Sequence, residues 1–138
     1  METRGLLSPA TESDVREEYE ALGPAAQVVT KEVAKAMDLD REEYRERVTS
    51  AVVETARDAL FASLLRVHLG DRTAFESWLA DHPDLEPHLG GSDAVDNRAW
   101  HPVPAAGAVA VVTYQQEPDA AVGTVQRQAF GRYYRDLL

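Results

Sequence analysis

The sequence predicts an α+β protein, predominantly α-helical, with about five helices around a long central helix plus one β-hairpin. Three observations carry this. Apolar residues recur at three- and four-residue spacings through most of the region up to residue 81. The stretch RAWHPVPAAGAVAVVTYQ is rich in valine and broken by a turn bracketed by Pro104 and Gly107, which is hairpin chemistry. A helical period then resumes over about 119–137. With 138 residues the chain suits one domain with one core over 11–138, because two separate domains would each be marginal.

Residues 1–10 read as a loose tail ending at Pro9. Thr11 or Ser13 caps a short helix, TESDVREEYEAL, whose acidic first turn suits the helix dipole. Gly23-Pro24 stops it and starts the next helix, GPAAQVVTKEVAKAM, where Ala25, Val29, Val33 and Ala36 or Met37 fall at helical spacing. Asp38-Leu39-Asp40 breaks that pattern, and Asp40 with Glu43 resembles a capping pair. The long central helix is expected from Arg41 to about Leu69, with Tyr44, Val48, Val52, Ala56, Ala59 or Leu60, Leu64 and Val67 advancing along it. A second set including Val53, Phe61, Leu65 and Leu69 widens its buried face, and Gly70 is placed to end it in a left-handed cap.

DRTAFESWLADHP is a fourth, short helix, capped by Asp71 and ended by Pro83, with Phe75, Trp78 and Leu79 facing inward. Residues 82–98 hold two prolines and a Gly-Gly pair and read as a long loop, a kind of segment that is functional or disordered in compact domains. The hairpin occupies about 98–115, and Pro102 argues that its first strand is an edge. In the last helix Val122, Val125, Ala129, Tyr133 and Leu137 follow the helical period.

Composition bounds the medium and excludes several functions. Twenty-four acidic residues stand against 14 basic ones, of which only Lys31 and Lys35 are lysines, for a net charge of −10. There is no isoleucine and no cysteine, so disulfides and thiolate zinc sites are excluded. METRGLLSPATES is no secretory signal, and the apolar run Ala105–Val112 is far short of a membrane span, so the expectation is a soluble cytoplasmic protein without membrane contact. Carboxylate excess with scarce lysine is the pattern of proteins built for high salt, where dense carboxylates hold water and cations and their mutual repulsion is screened. In size, acidity and the layout of acidic helices followed by GAVAVVTY and QAFGRYYRDLL, the chain resembles the short uncharacterised proteins of haloarchaea, a family of unknown function. That resemblance implies no activity, cofactor or catalytic residue.

Two constellations stand out. His82, Asp84, Glu86 and His88 lie in the long loop, and in extended chain alternate side chains share a side, so they are metal-ligand candidates for zinc, manganese or iron. No HExxH pre-organises such a site, and His68 is expected near a helix C-terminus, where the dipole favours its charged form. The chain has no GxSxG elbow, P-loop or GxGxxG, so no catalytic residue is assigned and no cofactor is expected, a divalent metal being the alternative.

The second constellation is RQAFGRYYRD, where Arg127, Arg132 and Arg135 accompany Phe130, Tyr133 and Tyr134 in an otherwise acidic chain. Arginine with aromatics is the composition of protein interaction surfaces. The plainer expectation has the aromatics in the core and the arginines neutralising neighbouring carboxylates. Nucleic acid is disfavoured by net repulsion and by the salt sensitivity of phosphate contacts. The leading expectation is therefore a small interaction or structural protein, a homodimer or bound to another protein, without enzymatic activity. The alternative is a small metal-dependent enzyme or hydrolase using the His82–His101 loop.

Overall fold

A computed structural model of the protein describes residues 2–138. The chain forms two compact units. One comprises the N-terminal segment to Arg16 together with Ala62–Leu138, and the other is Glu17–Phe61.

The first unit is organised by a sheet. Its strands are β1 (Glu2–Arg4), β2 (Val67–Gly70), β3 (Glu86–Gly90), β4 (Arg98–Val103) and β5 (Ala108–Thr113), in the spatial order β1-β2-β4-β5-β3. All neighbours are antiparallel except β3 and β5, which run parallel with Glu86 opposite Ala108 and Gly90 opposite Val112. The expected α+β character stands, but one β-hairpin does not: the hairpin β4–β5 is the centre of a five-stranded mixed sheet.

Each added strand has a physical reason. In β2 Val67 and Leu69 are buried while His68 and Gly70 are half-buried, an alternation with a period of two. That short alternation lies inside an apolar run that fits a helical period equally well. β3 falls within the expected loop 82–98 and is held by a parallel, non-local pairing with β5. β1 lies within the expected N-terminal tail. There Gly5, at φ +97°, lets the chain pass Leu65, since a Cβ at that position would lie 2.3 Å from the Leu65 carbonyl oxygen. Pro102 does not mark an edge strand, because β4 lies between β2 and β5. It is tolerated because β2 pairs only with Arg98, Ala99 and Trp100, leaving Pro102 beyond that ladder.

Two helices cover the sheet. Helix α5 (Arg72–Ala80) is capped by Asp71, which accepts from the Ala74 amide at 2.8 Å. It packs Phe75, Trp78 and Leu79 over Trp100, Val109, Val111 and Leu89. On the opposite face lies α6 (Pro118–Ala129), which continues through a π turn (Phe130–Tyr134) into α7 (Arg135–Leu137). Val122, Val125 and Ala129 are buried as the period predicts. The π turn then inserts one residue, so the inward position passes from Tyr133, which is half-buried, to Tyr134, which is fully buried.

Glu17–Phe61 is helical. It contains the second half of α1 (Glu12–Ala21), then α2 (Gly23–Ala36), α3 (Arg41–Arg47) and most of α4 (Ser50–Leu64). The expected continuous helix from Arg41 to Leu69 is therefore corrected at two points. It breaks at Val48, whose ψ of 87° is not helical. Thr49 restarts it, accepting with its hydroxyl from the Val52 amide at 3.3 Å. It ends at Leu64, and Gly70 closes β2 rather than capping a helix. The Asp40 cap forms as read, accepting from the Glu43 amide at 2.9 Å.

Candidate functional site

The apolar stripe of α2 faces away from its unit. Its buried positions are the small residues Gly23, Ala26, Thr30 and Ala34, and the Thr30 hydroxyl is satisfied by donating to the Ala26 carbonyl at 2.8 Å. Gly23 lies close to α4, because a Cβ there would meet the Arg57 guanidinium at 2.9 Å. The large residues Val29, Val33 and Met37 remain 39%, 53% and 55% exposed. Asp38, at φ 53°, reverses the chain after α2, and the Leu39 amide donates back to the Ala34 carbonyl at 3.4 Å.

Across from this stripe, Val48, Val52, Ala56 and Ala59 supply a second apolar wall, and the two enclose a groove of about 320 Å³. Among the described residues Arg47 is the only charged one that lines it. Beside this open face, the interior of the unit is pinned by a polar contact. Tyr19 is buried and donates its hydroxyl to Asp58 at 2.5 Å, with the Arg57 guanidinium 5.1 Å above its ring. Burial, followed by that hydrogen bond, raises the Tyr19 pKa and keeps the phenol protonated.

The arginine–aromatic segment divides between core and surface. Phe130 and Tyr134 are buried, and Tyr133 is half-buried. Tyr134 reaches His101, whose ring makes two hydrogen bonds: Nδ1 to the Arg66 carbonyl and Nε2 to the Tyr134 hydroxyl, both at 2.6 Å. A carbonyl only accepts, so Nδ1 carries the proton and Tyr134 donates to Nε2. Burial pushes the His101 pKa down to about 4, against the opposing effect of the Arg66 carbonyl. Arg127, Arg132 and Arg135 are exposed, and among the described residues none of the three makes an ion pair. Arg135 stands 5.4 Å over the Phe130 ring. The expected neutralisation of these arginines by neighbouring carboxylates is not what the structure holds.

The histidine–carboxylate candidates are distributed over two faces of the sheet. His82 follows α5, donating Nδ1 to the Trp78 carbonyl at 2.7 Å and stacking on the Trp78 ring at 4.0 Å. Asp84 is exposed in the following turn. Glu86 and His88 sit on β3 opposite Ala108 and Ala110, on the face away from Leu89 and α5. Glu86 and His88 thus share a side as alternation requires, while His82 belongs to the other side. Among the described residues no group of three or more histidine, aspartate or glutamate side chains is arranged to hold a metal ion.

His68 is corrected in both place and charge. It lies on β2 between Trp78 and Trp100, with ring centroids 5.8 Å and 5.6 Å away, and burial lowers its pKa rather than a helix terminus raising it.

The groove was missed because α2 carries two sets at helical spacing, the valine stripe and the small-residue set beginning at Gly23 and Ala26. The small set was the available signal: only small side chains permit the close approach seen at Gly23.

Fold and surfaces together define an α+β protein with a mixed five-stranded sheet in one unit and an open apolar groove in the other. Residues 6–135 match the model of a family of unknown function (DUF5809), and the chain belongs to that family. Comparison with curated proteins and with solved structures gives no match. Among the described residues no helix is long and apolar enough to cross a membrane.

Proposed function

We propose that this is a small cytoplasmic protein-interaction protein adapted to high salt, working by association rather than by catalysis. The observation that carries this reading is the outward apolar stripe Val29, Val33 and Met37, facing Val52 across an open groove. Soluble proteins leave few apolar patches of this kind uncovered, and those they do leave serve as contact sites. Salt fits the same reading. A net charge of −10 opposes association through self-repulsion, whereas salt screens that repulsion and strengthens apolar burial. The exposed Arg127, Arg132 and Arg135 offer a second, basic contact for an acidic protein surface. Light scattering across a KCl series tests the reading. Association that strengthens with KCl at micromolar protein is expected, and a strict monomer throughout counts against it.

A further inference from the structure

We propose that the α2–α4 groove is filled by the same groove of a second copy, so that two molecules build a four-helix bundle about a two-fold axis. This rests on the interaction reading above and adds the surface, the partner and the geometry to it.

The first argument is self-complementarity. Val29, Val33 and Met37 follow one another at four-residue spacing and form a ridge along one wall of the groove. Val52, Ala56 and Ala59 on α4 form the ridge of the other wall, with Val48 beside its start at the helix break. Ridges at this spacing seat in the groove between two ridges of a like pair, and two helices sharing one apolar face are half of a four-helix bundle. In a two-fold dimer each copy supplies both ridge and groove, so no foreign element is required.

The second argument is charge. Two copies of a −10 chain repel, and they meet at least cost where carboxylates are fewest. The residues lining the groove include no carboxylate, and their single charge is Arg47. Residues 23–48 carry five basic residues against six acidic ones, close to neutrality. Both lysines of the chain, Lys31 and Lys35, lie on α2.

The third argument is extent. Of the seven large hydrophobics exposed among the described residues, four (Val29, Val33, Met37 and Val52) line the groove. Helix α2 has 14 residues, so it is about 21 Å long, and two such helices roughly 10 Å apart present a projected face of about 400 Å². Counted on both copies that is about 800 Å² in total, below the standard size of stable interfaces, so the dimer is expected to be weak and to tighten with KCl.

The test uses the full chain in molar KCl, with mass measured by sedimentation. The wild type is expected to dimerise. Val33→Asp and Val52→Asp are expected to raise Kd at least about tenfold while far-UV circular dichroism stays unchanged, because both positions are already exposed. Arg132→Glu with Arg135→Glu is expected to leave the dimer intact. The chain has no cysteine, so Val33→Cys gives a unique thiol. A short bis-maleimide should link two such chains into a dimer, whereas it should not link Arg132→Cys chains. If Val33→Asp unfolds, Val33→Ser and this cross-link decide instead. A dimer that survives the groove substitutions overturns this inference and leaves the interaction reading standing. Loss of the dimer in the arginine variant alone does the same. A monomer at every salt and protein concentration overturns both.

Discussion

The sheet unit and helix α2 solve the same problem with opposite choices. In the sheet unit, large side chains go inward: Trp100, Leu65, Val109 and Val111 are fully buried. There His101 is held on both ring nitrogens, and the Gln126 amide donates to the Ser63 and Leu65 carbonyls at 3.0 and 2.9 Å. In the helical unit, α2 buries glycine, alanine and threonine and leaves its valines and methionine outside. An interior of small residues brings backbones close but removes little apolar area from water, so it contributes less stability per residue. The difference indicates where stability resides and where association can add to it.

Substitutions should separate the two units. The largest effect is expected for Trp100→Ala, which empties the centre of the cluster formed with Phe75, Val109 and Val111. A loss of about 3–5 kcal/mol is expected in denaturant melts at constant KCl.

Acid is next. His101 titrates at about 4 in the folded protein against an ordinary value near 6.5, so below pH 6.5 the unfolded chain binds a proton that the folded chain refuses. The stability from the neutral ring is complete above pH 6.5 and is lost as pH falls from 6.5 toward 4. The slope approaches about 1.4 kcal/mol per pH unit and the total is about 3 kcal/mol. His101→Gln should flatten that part of the stability profile, and an unchanged slope would contradict the buried neutral ring.

Tyr134→Phe removes the donor to His101 Nε2 and leaves a buried acceptor unpaired, at an expected cost of about 1–3 kcal/mol in the same melts. The smallest effect is expected in the other unit. Val33→Ala, at 53% exposure, should change the stability of the monomer by less than about 0.5 kcal/mol. A loss approaching that of a core valine would show that α2 buries this stripe within its own chain.

What the sequence disclosed follows the range of the forces involved. Local features were legible. Asp40 and Asp71 cap where they were expected to, the β4–β5 turn lies between Pro104 and Gly107, and Val122, Val125 and Ala129 face inward. Non-local pairings were not. Nothing near Glu86–Gly90 announces a parallel partner on β5, and Glu2–Arg4 pairs with a strand more than sixty residues away. The break at Val48 and Thr49 was hidden because the apolar period runs across it without interruption.

Of the site candidates, the arginines could be foreseen as surface residues, but their lack of carboxylate partners depends on where helices end up. The outward stripe of α2 was ambiguous for a specific reason: both of its faces repeat at helical spacing, and only packing chooses between them.

The π turn at Phe130–Tyr134 has a consequence for what the end of the chain displays. One additional residue in a helix rotates everything after it by about 100°. Tyr134 therefore occupies the inward position that a regular helix would assign to Tyr133, and Arg135 comes to stand over Phe130. Deleting a residue there would rewind the last turn, exchange the two tyrosines and aim the terminal guanidinium elsewhere. The segment thus works as a gearing between core and surface, in which a change of a single residue in length resets which chemistry the protein shows to its surroundings.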